Sequence, residues 1–177
     1  MTGEPASPEE FARTDAARLL GYLLKLGVGF HDAQDLAAET IGRMCERWES
    51  IESPRAWARA TAFRLAVDRF RKLRSERDHL HSELAAQAHT VARAEELYML
   101  KEEHRTVIDH IRRLPPRQRN VLALHLDGFT NKEIAAMLAV NARTIASNLR
   151  HAKHRLRLNL EAEGVYIPAP LTSREGE

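Results

Sequence analysis

A single cysteine, Cys45, excludes an internal disulfide and any cysteine-built metal site, and leaves that residue as a small hydrophobe expected to be buried. The eight glycines form no phosphate-cradling loop. No apolar run approaches the roughly 20 residues that a membrane-spanning helix needs, and the N-terminal stretch lacks the apolar centre of a secretory signal, so a cytoplasmic protein without membrane contact is expected. Strand-like alternation is absent and the fold class predicted is all-α. The nine histidines are scattered, and His79 and His81 are poorly spaced to share a metal on a helix; no metal and no cofactor is expected. Nor does the order of residues display a nucleophile, a base and an orienting group, so the chain is read as non-enzymatic.

The net charge of +2 over 177 residues says little, but its segregation is informative. Asp32, Asp35, Glu39, Glu46, Glu49 and Glu52 crowd one stretch, whereas arginines dominate from Arg64 to Arg77 and again near the C-terminus. This asymmetry predicts one acidic and two basic faces. In chain order, residues 1–6 read as disordered, and Ser7-Pro8-Glu9-Glu10 combines a cap with proline at the first helical position. One helix is expected from there to Leu26, stopped by Gly27 and Gly29. A second, from about Asp32 to Arg47, turns Leu36, Thr40, Ile41, Met44 and Trp48 inward and Asp35, Glu39 and Glu46 outward. A third starts at Ser53-Pro54, with Ala56, Ala60, Phe63, Val67 and Phe70 as its core stripe. Residues 7–74 therefore form a first helical domain, 75–94 a linker, 95–160 a second domain and 161–177 a loose tail. The second domain opens with Leu97, Leu100, Val107, Ile111 and Leu114; Pro115-Pro116 interrupts it and Gly128 ends the next helix.

The most informative stretch runs from Leu114 to Leu160. Thr130-Asn131-Lys132-Glu133 fits a capping box, in which hydroxyl and carboxylate reciprocally satisfy orphan backbone donors. The helix it starts is broken at Val140-Asn141, and Asn141 can cap the next. That helix carries Ile145, Leu149, Ala152, Leu156 and Leu160 at spacings of four, three, four and four, a stripe made for burial. An ordinary helical hairpin and a DNA-reading helix-turn-helix both fit this pattern. The second is favoured because no acid occurs from Ile134 to Leu160, while Arg143, Arg150, Lys153, Arg155 and Arg157 do. Arg143, Thr144, Ser147 and Asn148 occupy the first two turns, where a recognition helix reaches base edges, with Arg150 and Lys153 behind them for phosphate.

Asp32-Ala33-Gln34-Asp35-Leu36-Ala37-Ala38-Glu39-Thr40, then Trp48, Ser53-Pro54-Arg55-Ala56-Trp57 and Ala66-Val67-Asp68-Arg69-Phe70-Arg71 resemble the first domain of the extracytoplasmic-function (ECF) sigma factors of bacterial RNA polymerase. Leu114-Pro115-Pro116-Arg117-Gln118-Arg119, Glu133-Ile134-Ala135 and Thr144-Ile145-Ala146-Ser147-Asn148-Leu149 resemble their second domain, and the likeness covers about Phe11 to Leu160. Arg64 departs from the family's usual asparagine, Ala38 from its glutamine and Arg143 from its glycine. The resemblance implies a subunit that binds core polymerase, selects promoters and helps to melt them. Asp32, Asp35, Leu36, Glu39 and Arg43 would dock on the clamp of the largest subunit, and the second domain on the flap of the second-largest. Trp48, Ser53, Trp57, Arg64, Arg69, Arg71 and Lys72 would hold the separated strand of the downstream element, and the helix-turn-helix would read the upstream element as duplex. An anti-sigma partner is a further family expectation. The rival expectation is a stand-alone helix-turn-helix regulator built on a sigma-like scaffold.

Overall fold

The computed structural model describes residues 5–79 and 102–164; the expected linker beyond residue 79, Leu97, Leu100 and the tail beyond residue 164 lie outside them. Every regular element among the described residues is helical, as expected. The first unit comprises α1 (Pro8–Thr14), α2 (Ala16–Lys25), α3 (Phe30–Cys45), a 3₁₀ turn (Trp48–Ser50) and α4 (Pro54–His79). The second comprises α5 (Glu102–Arg112), α6 (Pro116–Leu126), α7 (Asn131–Leu138) and α8 (Ala142–Ala162).

Local chemistry accounts for most boundaries. Ser7 Oγ accepts from Glu10 N at 3.2 Å, with Pro8 in the first turn. The expected single helix to Leu26 is two: Asp15 leaves the helical conformation at φ −123°, and its carboxylate turns inward onto Arg55 and Arg59. Pro5 and Ala6, expected to be disordered, are held as well, Pro5 buried and Ala6 N donating to Glu10 Oε2 at 2.7 Å. Gly27 and Gly128 end α2 and α6 with φ of 91° and 98°, conformations that a Cβ disfavours. Helix α4 continues past residue 74, and α8 past residue 160.

One buried cluster spans both units, joining Phe11, Leu19, Leu23 and Met44 to Ile111, Leu122, Leu124, Ile134 and Ile145. Between the units α2 packs on α5 and α6, and α4 on α7. Two expectations about burial fail. Cys45 is exposed, because in the last turn of α3 it is Met44 that faces the core. On α4 the fully buried face is Ala58, Ala62 and Ala66, not the stripe through Phe63 and Phe70, and Phe70 is 39% exposed. Methyl-sized side chains at four-residue spacing let neighbouring helices approach closely, and the bulkier residues are left at the flank.

The alanine face also carries Arg59, with no exposed surface. Its Nε donates to Asp127 Oδ2 at 2.5 Å and its Nη1 to Asp15 Oδ2. Burial works against its charge, but the two carboxylates more than offset this and raise its pKa. Nearby, Tyr22 donates to Asn120 Oδ1 at 2.8 Å. Burial drives the Tyr22 pKa far upward, with Arg59 opposing and Asp127 reinforcing, so it remains a neutral phenol.

The helix-turn-helix start is a complete capping box: Glu133 N donates to Thr130 Oγ1 at 3.3 Å, and Thr130 N to Glu133 Oε2 at 2.7 Å. The bond from the Thr130 backbone, followed by that from its hydroxyl, lowers the Glu133 pKa. Because the folded value is depressed, Glu133 contributes stability above the ordinary carboxylate range and loses it as pH falls through the folded value. Thr130→Ala is expected to cost about 1 kcal/mol in urea unfolding at neutral pH. Glu133→Gln should also be less stable there, with the deficit closing as the medium is acidified through the folded pKa; a deficit independent of pH would contradict this account.

Candidate nucleic-acid interface

Helices α7 and α8 meet through a turn centred on Ala139, a non-glycine residue in the left-handed region at φ 52° and ψ 44°. The conformation costs an alanine about 1–2 kcal/mol. It is held by Val140 N donating to Ala135 O at 3.0 Å. Asn141 Oδ1 then accepts from Arg143 N at 2.8 Å, capping α8 as expected. All five residues of the expected stripe, Ile145, Leu149, Ala152, Leu156 and Leu160, are buried. Burial of that face fixes what the opposite one presents: Arg143, Thr144 and Arg150 are exposed, while Ser147, Asn148 and Lys153 are half-buried at its margins. Asn148 Nδ2 donates to Thr144 O at 2.9 Å, so its amide is turned back along its own helix. Lys153 lies close enough to His125 of α6 to help burial, the larger effect, lower the imidazole pKa. The cationic character of this surface comes from Arg143, Arg150 and Lys153.

A second surface lies in the first unit. The last turns of α3 and the first half of α4 enclose an open cleft of about 340 Å³, lined by Arg43, Glu46, Arg47, Trp57, Thr61 and Arg64. Trp57, Thr61 and Arg64 are spaced four and three apart and so share one face of α4. Arg64 is further fixed by Nε donating to Ala60 O at 3.2 Å. An indole with three guanidiniums around a small concavity can stack a flat heterocycle and neutralise its phosphate. Of the residues expected to hold a separated strand, Trp57 and Arg64 come together here. Trp48 and Ser53 lie on the half-buried connection between α3 and α4, and Lys72 is exposed towards the far end of α4. Arg69 is engaged with Asp32 at 2.5 Å, and Arg71 with Asp68 at 3.6 Å. Arg47, Thr61 and Glu46 were missed as lining residues; the four-then-three spacing from Trp57 was the available clue, but their opposition across α3 and α4 is tertiary.

The acidic side of α3 is partly self-compensated. Asp35 is exposed, Glu39 pairs with Arg43 at 2.6 Å, and Asp32 pairs with Arg69. Leu36, only 8% exposed, faces the core, so its role is to seat the helix that displays Asp35 and Glu39. Arg43 both pairs with Glu39 and borders the cleft, which joins the acidic flank to it. Among the described residues, no cluster of three or more histidines, cysteines and acids could hold a metal ion, and no helix is long and apolar enough to cross a membrane.

Comparison with known proteins matches residues 11–76 to the family model Sigma-70 region 2, and residues 104–156 to Sigma-70, region 4. Among curated proteins, the RNA polymerase sigma-E factor of Streptomyces antibioticus is 31% identical over 90% of this chain and 87% of its own length. That of Streptomyces coelicolor is 29% identical over 90% and 89%. Two solved structures share the fold: the sigma factor RpoE in complex with the anti-sigma factor NepR from Bartonella quintana, and CnrH in complex with the cytosolic domain of CnrY. The first has a TM-score of 0.69 at 17% identity, covering 88% of this chain and 97% of that one. The second has a TM-score of 0.61 at 16% identity, covering 88% of each.

A single-stranded oligonucleotide seated in the cleft is expected to quench Trp57. The fluorescence change should persist in Trp48→Phe and vanish in Trp57→Phe; the opposite pattern would place the strand elsewhere.

Proposed function

The chain belongs to the extracytoplasmic-function group of sigma-70 factors, RNA polymerase subunits that bind core enzyme and promoter DNA, and from that premise we propose how its two units divide the work. The observation that carries the proposal is the coexistence, on one chain, of a capped and cationic recognition helix and a separate cleft built from Trp57 and three arginines. The first suits duplex and the second an unpaired base, which are the two forms that promoter DNA takes as it opens. Arg143, Thr144, Ser147 and Asn148 read edges of the upstream element in the major groove, and Arg150 and Lys153 hold its phosphates. Trp57 and Arg64, with Arg47 and Thr61, receive a base from the downstream element, while Lys72 and the far end of α4 attract the backbone.

Asp35 and Glu39 orient the first unit on a basic surface of the polymerase clamp, since opposed charge steers such encounters. The second unit meets the flap. The protein works in the cytoplasm and contributes binding and strand separation, with no bond-making of its own. One fold neighbour is described in complex with an anti-sigma factor, and the other in complex with the cytosolic domain of CnrY. A helical partner that covers the exposed faces of α3 and α8 would silence both functions together.

Purified protein mixed with core polymerase and a promoter fragment should generate an open complex, detected as unpaired thymines. A footprint by the protein alone, unchanged by core enzyme, would contradict this reading. Arg143→Ala should remove about 1–3 kcal/mol of discrimination at one upstream position if it contacts guanine in bidentate fashion. Lys153→Ala should weaken all sequences alike and flatten the salt dependence by about one unit. Reversing Asp35 and Glu39 to lysine should slow association with core polymerase, most visibly at low salt; an unchanged rate would remove them from the docking surface.

A further inference from the structure

We propose that the cleft beside α4 accepts guanine in preference to the other three bases, and that Glu46 is the residue that selects it. The inference rests on the reading above that this cleft receives an unpaired base, and it names which base. Strand binding as such has no use for a carboxylate. A phosphate is repelled by one, and stacking on Trp57 is open to every base.

The fold has no use for Glu46 either. It is the C-cap of α3, at φ −64° and ψ −19°, and its backbone N donates to Gly42 O at 3.3 Å. A negative side chain at this end meets the negative pole of the helix dipole, where a cation is the stabilising choice. No ion pair compensates: Arg43, one turn earlier, gives its Nη2 to Glu39, and among the described residues Glu46 has no cationic partner. The side chain is exposed and lines the cleft. A carboxylate that helix stability disfavours, left unpaired beside three guanidiniums and an indole, points to a ligand that brings donors to it.

The hydrogen-bonding edges of the bases decide which ligand that is. Guanine alone presents two adjacent donors, N1–H and the 2-amino group, which match the two oxygens of one carboxylate. Cytosine and adenine each offer a single amino group beside an acceptor, and thymine a single N–H between two carbonyls. Guanine also carries two adjacent acceptors, O6 and N7, which suit an arginine fork. Arg64 supplies that fork: its Nε is committed to Ala60 O at 3.2 Å, and its two terminal nitrogens remain for a ligand. The walls divide the task. Trp57 and Arg64 come from α4 and provide the stacking face and the donors, while Glu46 closes α3 opposite them and provides the acceptors. Arg47, which follows Glu46, neutralises the phosphate beside the base. At about 340 Å³ the cleft has room for a purine.

The full chain is titrated with short thymidine oligonucleotides that carry one central guanine, adenine or cytosine, or none, and the fluorescence change that depends on Trp57 is followed at fixed salt. The guanine oligonucleotide should bind about tenfold more tightly than the others. Hypoxanthine in its place lacks the 2-amino group and should lose most of that advantage; 7-deazaguanine lacks N7 and should lose the share that Arg64 provides. Glu46→Gln keeps the shape but cannot accept both bonds, so guanine and hypoxanthine should bind this variant alike, with circular dichroism verifying its helices. Equal affinity for all four oligonucleotides in the wild type, or a guanine preference that survives Glu46→Gln, would overturn the selection while strand binding in the cleft still stood. So would a variant that binds every oligonucleotide more tightly by one common factor, since Glu46 would then act on phosphate alone. If no oligonucleotide changes the Trp57 signal, the strand-binding reading itself fails, and the selection falls with it.

Discussion

A guanidinium without access to water constrains everything around it. Arg59 can remain charged inside the molecule only because Asp15 and Asp127 approach it from two different units. The price is paid in backbone geometry: the N-terminal helix is broken at Asp15, and α6 ends with Asp127 at its C-cap. Removing one partner of such a buried group typically costs about 3–5 kcal/mol, because the remaining charge is stranded. The alanines beside Arg59 belong to the same solution, since Ala58 and Ala62 let the helix axes close on it. The charge network and the small-residue face together set the relation between the cleft on α4 and the recognition helix on α8.

What sequence reveals and what it hides follow the range of the forces involved. The capping box at Thr130, the Asn141 cap, the glycine stops and the buried stripe of α8 were legible because each is written within a few consecutive residues. Helical spacing likewise exposed the cationic side of α8. On α4 helical spacing favoured the stripe Ala56, Ala60, Phe63, Val67 and Phe70, whereas packing selected Ala58, Ala62 and Ala66. Hydrophobicity ranks side chains by what water rejects, but close helix contact ranks them by what fits. Nothing local in the sequence marks Arg59 as buried, because its partners lie 44 and 68 residues away.

The candidate site divides in the same manner. Its basic residues on α8 could be named from sequence, and Trp57 and Arg64 entered through family resemblance. The cleft as a cavity could not be foreseen, because its opposite wall is the end of α3, where Arg43 had been grouped with the acidic flank. The structure places that arginine between Glu39 on the acidic side of α3 and the cleft. Leu36, read from sequence both as inward-facing and as part of the docking set, is buried in the structure.

Helix α4 runs unbroken for 26 residues, about 39 Å at 1.5 Å per residue, and its cleft occupies only the first half. The second half runs on from that cleft, tied to α3 through Arg69 and Asp32, and the segment leading to the second unit continues from its end. Over such a length any tilt at the cleft end is multiplied several-fold at the attachment point of the following segment.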